Sequence, residues 1–214
     1  MKNIAIIGAS GLGREVWTLI NAINQVEDTY QVIGFYDDEF VEEYDVIAGI
    51  PCKGTVTDLL IDLPEDTSIT FGMANRQIVS EIYNTLSQKR NYSYPSLIHP
   101  NVSIEYGTVL GIGNVLANGT IISCQVNIGD FNFFNSLCAV GHDTVIGNFN
   151  SFMPRIQISG DVTIGDFNSF SMGASFVQSK KMGDNNTILA NSLLTKSIKN
   201  NRKYFGIPAK RLDL

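Results

Sequence analysis

Residues 128–170 read IGDFNFFNSLCAVGHDTVIGNFNSFMPRIQISGDVTIGDFNSF, and within them asparagine recurs at Asn132, Asn150 and Asn168, a spacing of 18. The column extends outward to Asn114 and Asn186. A shorter period runs beneath it. Stepping by six from Ile98 meets Ile104, Leu110, Leu116, Ile122, Ile128, Phe134, Val140, Ile146, Phe152, Ile158, Ile164, Phe170, Phe176, Met182, Ile188 and Leu194, apolar at all 17 positions. In a chain that is 44% hydrophobic, chance does not hold one phase for so long. Six residues is neither the alternation of an isolated strand nor the turn of a helix. It is the period of a parallel β-helix, in which each hexapeptide supplies one short strand and a corner. Three hexapeptides make one turn of a three-sided prism, so the asparagines stack one per turn.

A second register, four residues after each apolar position, supports the prism. It is mostly small or β-branched: Thr108, Thr120, Val126, Cys138, Thr144, Ile156, Val162 and Ala174 among others, with the asparagines between them. The asparagine amides are expected to bond up and down the stack and to take left-handed angles at the corners. Phe134, Phe152 and Phe170 form an inward column at the same spacing, and Phe131, Phe149 and Phe167 an outward one. An apolar outward ridge calls for cover by a neighbouring subunit or by the rest of the chain. With coils about 4.8 Å apart, roughly five and a half of them rise about 27 Å.

The first 92 residues follow a different plan. Ile4–Ile7 is an apolar run suited to a central parallel strand. Gly8-Ala9-Ser10-Gly11-Leu12-Gly13 follows, then a stretch with Val16, Leu19, Ile20 and Ile23 on one helical face. Val32–Tyr36 and Ser68–Phe71 read as further strands, and 77–89 as a helix. Strand alternating with helix predicts a small Rossmann-like α/β domain over 1–92, ahead of a β-helix over 97–200 and a tail over 201–214. The glycine loop lies where strand becomes helix, so its N–H groups can hold a phosphate. Its G-x-x-G-x-G pattern is not the dinucleotide fingerprint, and a tight turn would also use it. Asp37 and Asp38 end the next strand, at the edge where ligands of open α/β sheets bind. The domain is too short for a second mononucleotide half, which favours a single nucleotide.

Composition sets the other bounds. Three cysteines, Cys52, Cys124 and Cys138, form no disulfide framework and no metal spacing, which suits a reducing cytoplasm. No run of 18 apolar residues offers a membrane span. The start of the chain reads as a buried strand, without the longer apolar stretch of a signal peptide. Charge is unevenly spread. Residues 180–214 hold eight of the 15 Lys and Arg against only Asp184 and Asp213, whereas 91–179 contain one basic residue, Arg155. A cationic end on an acidic body suits a small polyanion better than a long nucleic acid, which needs a wider basic face. A solvated tail would look the same by charge alone.

The chain has two histidines. His99, in Ile98-His99-Pro100, reads as a junction residue. His142 comes two residues after inward Val140 and is followed by Asp143, so it should project from the prism wall. Imidazole titrates near neutrality and is suited to take a proton from an incoming amine or alcohol.

In order and spacing, GASGLG, GFYDD, LIHP, Asn135, GHDTVIGNF, Gly160 in SGDVTIGDF and the ending GIPAKRL resemble the bacterial nucleotide-sugar N-acetyltransferases, relatives of the sialic acid O-acetyltransferases. The resemblance spans the chain. It implies a left-handed β-helix, a homotrimer with active sites between prisms, a nucleotide-linked amino sugar as acceptor and acetyl-CoA as donor, without a metal. On it, His142 is the general base, Asp143 orients the imidazole and Asn135 lies near the amine. Gly160 gives an N–H to the thioester carbonyl. Gly8, Ser10, Gly11 and Gly13 would meet the diphosphate, and Asp37 and Asp38 the base or amino sugar. Ser151, Ala190, Ile207, Pro208 and Lys210 would face acetyl-CoA. The chain departs from the pattern at Ser151, where many members carry a second histidine, and at Arg155, where glycine is common. An O-acetyltransferase would use the same base, and a non-catalytic scaffold would keep the fold while losing donor contacts. The zinc enzymes that share this prism need three histidine ligands, and two are present. A nucleotidyltransferase would need a longer first domain with a basic phosphate loop.

Overall fold

The structure, a computed structural model, describes residues 1–39, 44–64 and 66–212, and the chain falls into two compact units, Met1–Pro100 and Asn101–Leu214. The first unit runs β1 (Lys2–Ile7), α1 (Gly11–Asn24), β2 (Tyr30–Tyr36), β3 (Tyr44–Ile47), β4 (Ile50–Gly54), α2 (Val56–Asp62), β5 (Ser68–Phe71) and α3 (Arg76–Lys89). Its sheet has the order β3-β4-β2-β1-β5. β1 pairs in parallel with both β2 and β5, so Ile4–Ile7 is fully buried, which is why that run is apolar throughout. α1 turns Val16, Leu19 and Ile20 inward.

Three elements here have no strong sequence signal. β4 is Ile50-Pro51-Cys52-Lys53-Gly54, too mixed to read as a strand; it pairs in parallel with β2 and antiparallel with β3. The β3–β4 hairpin turns on Ala48 and Gly49, at φ of 51° and 77°, the hand that matches strand twist. α2 is short, but Thr55 and Asp58 close a capping box on it.

The second unit is the prism. Its strands are two residues long, and each pairs in parallel with the strand 18 residues on, as in Ile122↔Val140, Ile128↔Ile146 and Phe134↔Phe152. Three walls result. We call the wall through Ala139–Val140 the first, that through Val145–Ile146 the second, and that through Ser151–Phe152 the third. From Leu116 to Leu194 every sixth residue is buried; Ile98, Ile104 and Leu110, at the start of the series, are more open. Phe134, Phe152 and Phe170 stack inside with centroids 4.5 and 5.0 Å apart.

The corners differ from expectation by one residue. A left-handed φ of 53–75° recurs every six positions from Gly107 to Asn191, and at the asparagine corner it falls on Phe131, Phe149, Phe167 and Asn185. The asparagine that follows each is buried. Its side-chain oxygen accepts the N–H of the next asparagine: Asn132, Asn150, Asn168 and Asn186 donate to the coil below at 2.8–2.9 Å. The inward amide is thus the hydrogen-bonding element, and the outward residue takes the turn. Outside, a second ladder runs in the opposite direction. The N–H groups of Ile112, Asp130, Asn148 and Asp166 donate to Asp130, Asn148, Asp166 and Asp184 in the coil above.

The outward phenylalanines largely cover one another. Phe131, Phe149 and Phe167 stack at 5.1 and 5.2 Å; Phe131 is buried and the other two are half-buried. Beyond residue 200 the chain stays on the prism. Lys203–Phe205 pairs in parallel with the third-wall strand Thr187–Ile188, and Lys210–Leu212 returns antiparallel to it.

Candidate functional site

Gly141–Thr144 forms the corner between the first and second walls. Val140 and Thr144 point into the prism and are buried, which forces the two residues between them outward. Asp143 takes the left-handed turn at φ 57°. The corner is fixed by its neighbours, since Asp143 N–H donates to Cys124 O at 3.1 Å and Asp161 N–H donates to His142 O at 2.8 Å.

On this rigid corner the His142 Nδ1 lies 2.7 Å from a carboxylate oxygen of Asp143, and the two side chains are 60% and 54% exposed. A carboxylate only accepts, so Nδ1 carries a proton, and in the neutral ring Nε2 keeps its lone pair. The neutral form is the state a general base requires, and an acid so placed would stabilise an imidazolium formed on proton uptake. The other ring edge is placed by Gly160, one coil above. A Cβ at that position would lie 2.6 Å from Nε2 and 2.7 Å from the adjoining ring carbon, so the ring rests directly on the glycine. Gly160→Ala is expected to fold with a near-wild-type melting temperature, since an exposed ring can swing away. Its turnover should fall at least tenfold because Nε2 leaves its place. Steady-state kinetics beside a melting curve checks both halves.

The other residues expected at the site do not join this pair within one chain. Asn135 lies on the corner between the third and first walls, 8% exposed, its Oδ1 accepting Ser136 N–H. Ala190 and the segment Gly206–Ala209 gather at the same corner, where Gly206 N–H donates to Ser192 Oγ and Ala209 N–H to Leu193 O. Ile207 is 73% exposed, and Pro208 and Lys210 are exposed beside it. Ser151 is on the third wall, 2% exposed, its hydroxyl bonded to Ser169 Oγ at 3.3 Å. Two clusters result: His142, Asp143 and Gly160 on one corner, and Asn135, Ala190 and residues 206–209 on the next.

In the first unit, Gly8, Ser10, Gly11 and Gly13 form the turn from β1 into α1. Gly13 packs on Gly8 so closely that a Cβ would strike the Gly8 carbonyl, and a Cβ on Gly72 would strike Gly13. Gly72 is part of this loop site, and only its place after the Ser68–Phe71 strand could have signalled it. Ser10 precedes the helix in extended conformation and its hydroxyl makes no cap bond, which leaves it at the helix N-terminus for a ligand. Asp37 accepts Ala9 N–H at 2.8 Å and Glu39 N–H at 3.1 Å; Asp38 accepts Val56 N–H at 2.9 Å. Both acids therefore bind the backbone, and Asp37 holds one N–H of the glycine loop. Arg76, at the start of α3, was not foreseen. It is 3% exposed, and burial lowers its pKa to about 9.

Residues 3–86 match the PglD N-terminal domain family. No curated protein matches the sequence. Among solved structures, the acetyltransferase domain of PglB from Neisseria gonorrhoeae is 27% identical, with a TM-score of 0.88 over 99% of this chain and 100% of that one. The first unit thus carries a PglD-type N-terminal domain, and the whole chain shares the fold of the Neisseria acetyltransferase domain. WeeI from Acinetobacter baumannii (24% identity, TM-score 0.89, 99% and 100% covered) shares the fold. So does PerB from Caulobacter crescentus, solved with CoA and GDP-perosamine (20%, 0.89, 99% and 98%). The Neisseria domain has also been solved with acetyl coenzyme A (25%, 0.88, 99% of each chain). In this chain no described helix is long and apolar enough to cross a membrane.

Proposed function

We propose that the protein is an acetyl-CoA-dependent N-acetyltransferase acting on the amino group of a nucleotide-linked sugar, in the cytoplasm, where its three thiols stay reduced. The observation that carries this reading is the 2.7 Å His142–Asp143 pair seated on Gly160. The first unit tethers the nucleotide through the Gly8–Gly13 loop. His142 Nε2 takes a proton as the amine nitrogen attacks the thioester carbonyl. The C–N bond forms while Gly160 N–H stabilises the oxyanion. The C–S bond then breaks, and the thiolate of coenzyme A leaves and takes up a proton. No covalent enzyme intermediate is needed.

The split of the expected residues between two corners supports a site shared between copies. A second copy of the chain, as in a homotrimer, would bring its Asn135 corner, with Ala190 and residues 206–209, against the His142 corner of the first. Ser151, buried on the third wall, is then a packing residue and makes no donor contact. The test is mass analysis of products after incubation with acetyl-CoA and either amino-sugar or hydroxy-sugar nucleotides. A mass gain of one acetyl group on the amino sugar alone supports the reading. Gain on the hydroxy sugar alone replaces it with O-acetylation.

A further inference from the structure

The C-terminal end of the second unit is ringed with cations. Lys180 and Lys181 top the second wall, where Ile198 bridges Met182 in parallel and brings Lys196 and Lys199 into the last layer beside them. That layer is fixed, because Lys181 N–H donates to Ser197 Oγ and Gly183 N–H to Ile198 O, both at 3.0 Å. Lys203 extends the third wall beside Thr187, and Lys210 pairs with Phe205 across the final hairpin. Lys181, Lys196, Lys199, Lys203 and Lys210 are exposed. Among the described residues none of these five ammonium groups is in an ion pair or a hydrogen bond. The one described acid from residue 180 onward, Asp184, is occupied: its oxygens accept Asp166 N–H at 2.9 Å and Asn200 Nδ2 at 3.0 Å. Phe205, on the same hairpin, is 54% exposed.

The rest of the prism has the opposite sign, since residues 101–179 carry five acids and one base, Arg155. Coil spacing decides what a partner feels. Along the prism axis only Asp161 and Asp166 lie within about one Debye length, roughly 8 Å, of Lys181; Asp143, Asp130 and Glu105 are about 10 Å or more below it. A partner that meets the end face therefore sees cations, and one lying along the side sees acids. A nucleic-acid strand needs a continuous basic track, which the acidic side denies it. A small soluble anion needs convergent donors and gains nothing from an exposed phenyl ring. A flat anionic surface uses both features: separate lysines each attract headgroups, and an aromatic at the rim enters the interface. The His142 corner lies about two coils, roughly 10 Å, below this rim, so end-on docking leaves it open.

We infer that this cationic end docks the protein end-on against an anionic lipid bilayer, with Lys181, Lys196, Lys199 and Lys203 on the headgroups and Phe205 at the interface. The test is co-sedimentation of the full chain with vesicles of phosphatidylcholine, alone or with about a third of phosphatidylserine, at low and high salt. Binding to the mixed vesicles is expected to exceed binding to the neutral ones by about tenfold or more, and to fall as salt rises. Lys181→Gln/Lys196→Gln/Lys199→Gln should lose most of that binding while keeping its melting temperature. A single Lys199→Glu variant, altering an exposed side chain only, covers the case in which the triple variant misfolds. No preference for anionic vesicles, a preference that salt does not weaken, or full binding by these variants overturns the inference. Tighter binding of single-stranded RNA than of mixed vesicles at matched phosphate, with the same lysine dependence, overturns it in favour of nucleic acid. Release from the vesicles by coenzyme A assigns the lysines to a soluble phosphate and overturns it too.

Discussion

His142→Ala is expected to lower kcat by about 10² to 10⁴ while coenzyme A still binds. The reasoning rests on separability. The ring is largely exposed and makes its one side-chain bond to Asp143, so its loss removes little packing. Surface changes of that kind usually shift stability by less than about 0.5 kcal/mol. What disappears is the acceptor that takes the amine proton as the C–N bond forms. Asp143→Asn should cost less than His142→Ala, because the base remains and only its tautomer and the charge behind it are lost. Titration of coenzyme A against each variant, beside kcat and KM, distinguishes the base from a residue that merely shapes the donor cleft. Turnover near wild type in His142→Ala would remove the assignment.

The prism was legible because its interior admits one kind of side chain at each sixth position, and a single polar intruder would leave an unpaired group in a dry core. That constraint wrote itself into 17 positions. The corner was legible to within one residue. Asparagine tolerates left-handed angles, and that tolerance pointed to the wrong member of the Phe-Asn pairs. Backbone geometry at a corner constrains only φ, which phenylalanine, leucine and arginine also accept here, so residue type carried little information. β3, β4 and α2 were missed because an edge hairpin built on Pro51 and Gly54 has neither period nor apolar run.

The site was legible in part for a similar reason. His142 followed from counting two residues past an inward valine. Asn135 entered only through the resemblance; it precedes His142 by one hexad and one residue, which places it on the corner before. Asp37 and Asp38 were read as ligand contacts from their place at a strand end, and both prove to be engaged with backbone N–H groups. The basic C-terminal stretch was visible as charge, but its place on the prism needed the pairing of Thr187 with Lys203, which no local pattern encodes.

Asn150→Ala is expected to destabilise the protein by about 4 kcal/mol, whereas Asp166→Ala on the outer ladder should cost about 1 kcal/mol, though each change deletes hydrogen bonds to the next coil. Asn150 is buried, and its side-chain oxygen accepts both Asn168 N–H and Asn168 Nδ2, at 2.8 and 3.1 Å. Its own Nδ2 donates to Asn132 Oδ1 at 2.9 Å. Alanine there strands a backbone donor in an interior that water does not reach, and an unsatisfied buried group costs more than the bond it once made. The low dielectric that strengthens each rung makes its loss severe. Asp166 also accepts two donors from a single residue, Asn148 N–H at 2.6 Å and Asn148 Nδ2 at 3.2 Å. Those groups lie on a partly exposed surface where water replaces the carboxylate. Denaturant midpoints at one fixed protein concentration, with the slope checked for constancy, measure both. Equal losses would mean that the two ladders share the load and that burial is not what gives the asparagine column its weight. A large loss confined to Asn150 would locate the stability of the rod in its inner amides, on which the fixed corner of His142 depends.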